Sequence, residues 1–484
     1  MKLLLTIFCL LAIGATAFAA PGFSVRISPR RKTIVGGDSI TFTIRITPRE
    51  GFTATVNLVL HPPDGLSTLP VLSREKLDAP YSARATFVVT TIPSNLGTYI
   101  FVVEGRNGGY KVYDTCSIRV ISSAAALGWS NYTPDNSPMP DTTVNRIVMD
   151  RDGAGWIATN NGVARFDGFA WDIYTPADFG LSSNRVTAMA VDSSNALWIG
   201  NDSGQVARFS GGTWTPFTNV PYPIMFITDM AASPNGDIWL SGTRTDSWFA
   251  VPGMAARYRA GSGWTLYDST NSEIRNWIGS LAIDRTGLVW FGLYHPSGWM
   301  HIPLVKFDGT FWTTHEAELF ASSDHAGGYA LTFDRQNQLW FSTLESVVVR
   351  HKDGTFITSD GRYGAFPGAR PTFLTFDQSG GLWVADYPTG RSDNPAYDGG
   401  IARYDGTSWK QYVPDNSGLE DLYITGLAVD HQERIWTGSQ GNGLTIFDQH
   451  IFDAGTETTA ATSNHRLSEV IPNPAHATVS VAIT

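Results

Sequence analysis

Three tryptophans stand apart in this sequence because nothing periodic accounts for them. Of its sixteen tryptophans, thirteen recur at fixed places in a repeating unit, while Trp248, Trp277 and Trp299 do not. Around them lie Arg244, Asp246, Tyr294, His295 and His301. A flat indole stacks on the C–H face of a sugar ring, and planar charged or imidazole groups bond its hydroxyls, so this set has the chemistry of a saccharide site. The same three indoles could instead pack long loops against one another, and the sequence leaves both readings open. Trp248, Trp277, Trp299, Tyr294, Arg244, Asp246, His295 and His301 are therefore the candidate ligand-binding residues.

Other chemistries find weaker support. His295, His301, His315 and His325 cluster in sequence, but no pair has the i, i+4 or Cys-x-x-Cys spacing of a metal site. No metal or cofactor is assigned. Asp150-Arg151-Asp152-Gly153 has a faint calcium-loop order, yet it occupies an ordinary turn of the repeat. Hydrolysis of a glycoside would need two carboxylates roughly 5 to 9.5 Å apart. Asp246, Glu273, Glu316, Glu318 and Asp324 are available, but sequence places no pair of them. No catalytic residue is assigned. A non-catalytic binding protein for a saccharide or an extracellular protein is expected; the alternative is a secreted lyase or glycoside hydrolase acting at the same face.

The elements that must position these residues are strands. From about residue 141 to 449 one unit recurs seven times. Each copy opens with an apolar strand ending in Asp: Asp150, Asp192, Asp284, Asp334, Asp377 and Asp430, with Ser233 in the third copy. A polar turn follows, in which that Asp can accept backbone N–H groups two residues on. A strand bearing Trp156, Trp198, Trp239, Trp290, Trp340, Trp383 or Trp436 comes next. The third strand has the form Val-Ala-Arg-Phe (163–166), and the fourth carries Trp171, Trp214, Trp264, Trp312, Phe356 or Trp409. Four strands in a period of 40 to 50 residues mark an all-β, seven-bladed β-propeller, with the large aromatics wedged between blades.

Ring closure is also legible. The seventh copy ends at Phe447-Asp448 without a fourth strand, whereas Trp129 to Ser137 nearly repeats Trp409 to Ser417. Residues 127–135 are therefore expected to close blade seven. The long insertions fall between strands two and three of a blade or between blades, in segments 241–254, 292–302, 385–399, 268–276, 316–328 and 359–371. Both loop classes lie on one face of a propeller, and the opposite face keeps short turns.

The repeats resemble the two-component-regulator propeller repeats through Ala-Leu-Trp-Ile-Gly…Gly-Gln-Val-Ala-Arg-Phe-Ser-Gly (196–211) and its counterparts. That resemblance implies an extracytoplasmic sensor-type module, some of which bind saccharides. This sequence has no transmembrane, kinase or DNA-binding segment to carry a signalling output. Gly-Leu-Trp-Val-Ala also resembles the repeats of streptogramin lyases, which use His and Glu with a divalent metal; His315-Glu316 and His325 are the local candidates, without matching spacing.

The remainder frames the repeat. Charged residues make up 16% and the formal net charge is −10 with no long basic run, which argues against nucleic acid or an anionic membrane as partner. Residues 1–19 read as a signal peptide, with Lys2, an apolar run from Leu3 to Ile13 and Ala17-Phe18-Ala19. The protein is expected to be exported across the inner membrane and then extracellular or on the outer-membrane surface, as a monomer. The mature chain keeps Cys116 alone, in a strand-like stretch that suits a buried thiol. Residues 21–122 hold about seven short alternating strands, and Val35-Gly36-Gly37-Asp38-Ser39-Ile40-Thr41-Phe42, Gly51 to Leu58 and Leu96 to Gly105 resemble bacterial immunoglobulin-like modules. Residues 450–465 read as a linker. Val470-Ile471-Pro472-Asn473-Pro474-Ala475 resembles the opening of the C-terminal sorting domain of type IX secretion, so 466–484 is expected to be part of one.

Overall fold

The computed structural model describes residues 22–451, except for 50, 67, 93–94, 122–125, 218, 222–223, 225, 244–252, 295–303, 316–329, 343–347, 353–354, 359–370 and 389–398. The expected signal peptide and sorting segment lie outside the described residues. The chain divides into two compact units, Met1–Val120 and Ile121–Thr484.

The first unit is two antiparallel sheets around one core. Gly22–Ser28, Ser39–Arg49 and Ala85–Thr90 form one sheet. Arg31–Val35, Tyr110–Ile121, Gly97–Asn107, Val56–His61 and Lys76–Leu77 form the other, in that spatial order. Eight strands are present where about seven were expected, because the two-residue strand Lys76–Leu77 carries too little pattern to read. Inward residues such as Phe42, Phe87 and Phe101 are fully buried and pack ring on ring, as the period-2 alternation of strands requires. Cys116 is in this core, and burial, with the Asp114 charge, pushes its thiol up to about 12.

The second unit is all-β and propeller-like, with seven four-stranded antiparallel sheets among the described residues. Sheets I to VII begin with the strands Val144–Met149, Val186–Val191, Phe226–Ala232, Trp277–Ile283, Leu331–Phe333, Pro371–Phe376 and Ile424–Val429. These first strands neighbour one another in chain order, and that of VII packs on that of I. The fourth strand of VII comes from the other end of the unit: Trp129–Tyr132 pairs with Leu444–Phe447, with Tyr132 opposite Leu444 and Trp129 opposite Phe447. Trp129 stacks on Phe447 at 4.2 Å between ring centroids.

Neighbouring sheets are held by aromatics at fixed places. Trp156 meets Phe209 at 5.3 Å, Trp198 meets Tyr258 at 5.4 Å, and Trp239 meets Phe307 at 5.6 Å. Trp383 meets Phe447 at 6.2 Å, and Trp436 returns to Phe166 of sheet I at 5.8 Å. Each tilted or edge-on pair adds about 0.5–1.5 kcal/mol beyond its buried area, so stability is distributed around the unit.

The Asp that ends each first strand does more than fix its turn. Asp377 accepts the Gly381 N–H at 2.7 Å, the Trp383 indole N–H at 3.0 Å and the Arg403 Nε–H at 2.8 Å. Asp150, Asp192 and Asp430 bond Trp156, Trp198 and Trp436 and the guanidinium of Arg165, Arg208 and Arg434 in the same way. One buried carboxylate thus ties together the turn, the second-strand Trp and an Arg. In sheet III Ser233 takes the turn position and Asp237 receives Arg259 at 2.6 and 2.8 Å instead.

Candidate functional site

The two ends of the seven sheets differ in what they can vary. At one end, the turn between first and second strands is five residues long in every sheet: 150–154, 192–196, 233–237, 284–288, 334–338, 377–381 and 430–434. In six sheets it opens on an Asp, and in sheet III on Ser233, with the same length. At the other end, the connection between second and third strands runs from two residues (160–161) to thirteen (387–399). The links from one sheet to the next leave from this same end, as antiparallel strand direction dictates.

Most of the sequence-derived candidates, Arg244, Asp246, Trp248, His295, Trp299 and His301, lie outside the described residues. Tyr294 ends the second strand of sheet IV, in register with Trp277. Trp277 itself is a strand residue, the first of sheet IV, and only 8% exposed. It stands seven residues before Asp284, as Phe226 stands before Ser233 and Tyr423 before Asp430, so it does occupy a place in the repeat. These positions open the first strands at the variable end. Arg185, at the same place in sheet II, lies over the Phe226 ring at 5.9 Å. Tyr423 is 42% exposed and meets Tyr387 edge-on at 5.2 Å. This aromatic rim was missed from sequence, because the position holds Thr143 and Arg185 in other copies.

Three residues further along, first strands bond to the next sheet. In sheets I, II, III, IV, VI and VII the strand has a register irregularity just before this point, at Val144/Arg146, Val186/Ala188, Ile227/Asp229, Ile278/Ser280, Pro371/Phe373 and Ile424/Gly426. A bulge frees one residue from the ladder and re-aims its side chain. The freed residues staple sheet to sheet: Asn145 Nδ2–H donates to the Val186 carbonyl at 2.8 Å, Thr187 Oγ1–H to Ile227 at 2.6 Å, and Thr425 Oγ1–H to Val144. The last of these joins sheet VII to sheet I.

The position after the bulge forms an inner ring: Arg146, Ala188, Asp229, Ser280, Ala330, Phe373 and Gly426. Most of it is small. Arg146 of sheet I pairs with Asp229 of sheet III, and its guanidinium carbon lies 5.4 Å from the Phe373 ring of sheet VI. One side chain therefore spans the middle of the ring. Asp229 is 2% exposed and also accepts the Leu281 N–H at 3.1 Å and its own neighbour Met230 N–H at 2.9 Å. Burial pulls the Arg146 guanidinium down to about 10, so it stays charged at neutral pH. Ser280 is 7% exposed, and among the described residues its hydroxyl has no hydrogen-bond partner. Among the described residues no three His, Cys, Asp or Glu side chains converge as metal ligands, and no helix is long and apolar enough to cross a membrane.

Residues 180–203, spanning the first two strands of sheet II, match the model of the two component regulator propeller family. No curated protein matches the chain. Among solved structures, the extracellular domain of a protein described as a hybrid two component system, from B. thetaiotaomicron, is similar over 66% of this chain at 14% identity and a TM-score of 0.49. The chain spans 42% of that structure's length. YCF48, solved with a D1 peptide, matches over 66% of this chain and 95% of its own, at 14% identity and TM-score 0.46. The WD40 propeller domain of Doa1 matches over 66% and 97%, at 11% identity and TM-score 0.46.

Proposed function

We propose that this chain is an exported seven-bladed propeller, preceded by an immunoglobulin-like β-sandwich spacer, that binds a saccharide or an extracellular protein without transforming it. The seven sheets are its blades, and the variable end is its binding face. One observation carries the reading: the same blade has a turn of invariant length at one end and connections of two to thirteen residues at the other. A scaffold that holds one end constant and diversifies the other is organised like a binding surface on a rigid frame. Trp248, Trp277, Trp299, Tyr294, Arg244, Asp246, His295 and His301 are the ligand contacts in this reading, with Trp277 setting the base of the blade-four sector. Residues 1–19 direct export and 466–484 belong to a sorting segment.

The test is binding of the full-length chain to an array of neutral and acidic glycans, repeated with W248A/W299A. Trp277 is replaced by Phe in a separate variant, because it is buried in a strand. Binding that falls at least tenfold in W248A/W299A with an unchanged unfolding midpoint supports the assignment. Turnover of any bound glycan, or equal binding by both proteins, removes it.

A further inference from the structure

We infer that the inner ring is itself a ligand subsite, in which Arg146 and Ser280 anchor the hydroxyl oxygens of a neutral sugar unit. This rests on the variable end being the binding face, since the first strands begin there and the ring lies only four residues into them.

Three features point to an oxygen-bearing, uncharged group. Arg146 carries five N–H donors on a planar fork, and among the described residues its acceptor is Asp229 alone. That carboxylate already accepts from Arg146, Met230 and Leu281, and its charge balances that of the guanidinium, so the site is neutral overall. A carboxylate ligand would therefore meet a second carboxylate already paired with the same cation, whereas a hydroxyl brings oxygen lone pairs and no charge. The second feature is Ser280, more than nine-tenths buried, whose hydroxyl has no partner among the described residues. Leaving such a group unpaired is costly, and it is explained if the partner arrives with the ligand. Ser280 occupies the ring place of Arg146 and Asp229, and the backbone N–H that follows it bonds Asp229 directly. Third, Ala188, Ala330 and Gly426 add no polar group to the ring, while Phe373 supplies an apolar wall beside the guanidinium. Donors and an aromatic face together match a pyranose edge.

The experiment measures wild type, S280A and R146K by titration calorimetry and saturation-transfer NMR, using gluco-, galacto-, manno- and xylo-oligosaccharides of two to six units, with sodium acetate as the charged probe. S280A removes an unpartnered hydroxyl, so its unfolding midpoint should stay level or rise while its Kd for the bound sugar rises about tenfold. That combination distinguishes a ligand contact from a structural group. R146K keeps the charge facing Asp229 but loses the fork, and should weaken binding at least tenfold with the fold intact. If wild type binds a sugar and both variants bind it within twofold, the subsite is wrong while the binding face stands. If wild type binds none of these sugars, or binds acetate instead, both the subsite and the saccharide reading fall.

Discussion

Replacing Asp192 by Asn tests whether one carboxylate organises each sheet. In the wild type Asp192 accepts the Ser194 and Ala196 N–H groups at 2.8 and 3.0 Å, the Trp198 indole at 2.9 Å and the Arg208 guanidinium at 3.1 and 3.2 Å. Burial alone would raise its pKa, but bonds from Ser194, Trp198 and Ala196 outweigh it and hold the group at about 2, against 3.8 unperturbed. That difference is worth about 2 kcal/mol at neutral pH. Asn turns an N–H toward donors that need an acceptor, which brings the expected loss to about 3 kcal/mol. The folded-state pKa is depressed, so the contribution is complete above pH 4 and fades as pH falls from about 4 toward 2. All sixteen tryptophans lie at or beyond Trp129, so indole fluorescence in a denaturant titration of the full chain follows the second unit alone. The gap between wild type and D192N should be constant from pH 7 to 5 and mostly gone at pH 2. A gap below about 1 kcal/mol at pH 7, or one unchanged at pH 2, would refute the account.

Three further outcomes follow from packing. Trp129→Ala deletes the ring stacked on Phe447 at 4.2 Å and should cost about 3–5 kcal/mol in the same titration. Gly443 has φ +76° and a β-carbon there would overlap the Tyr132 carbonyl of the closing strand, so Gly443→Ala should cost about 2 kcal/mol or more and remove hydrogen-exchange protection from 130–132 and 444–447 first. Cys116, buried with its thiol near 12, should not react with a disulfide reagent at pH 8 until denaturant unfolds the first unit.

What sequence made legible is what the chain repeats. Asp, Trp and the third-strand Arg recur at set intervals because sheets I, II and VI share one carboxylate bond set, and recurrence separates that signal from chance. The strand at Trp129 leaves a trace for a similar reason: its segment copies 409–417, which pairs equivalently in sheet VI. Arg146, Asp229 and Ser280 leave none. They occupy one repeat position, yet that position reads Arg, Ala, Asp, Ser, Ala, Phe, Gly, with no residue type in more than two of the seven copies. Trp277 shows the same effect, since its equivalents are Thr143, Arg185, Phe226 and Tyr423.

That contrast bears on where specificity resides. Positions that bond within a sheet must be alike in every copy, because each sheet must solve the same turn and the same wedge. Positions facing the axis are freed from that constraint, because the bulges and the staples from Asn145, Thr187 and Thr425 already join the first strands through backbone carbonyls. Where these staples join neighbouring strands the inner-ring side chains are less constrained, and one Arg, one Asp and one Ser can be placed singly. A polar residue buried without a structural duty is a cost to folding. Ser280 is such a residue, since among the described residues its hydroxyl has no partner, and its presence is best explained by what it meets when the ring is occupied.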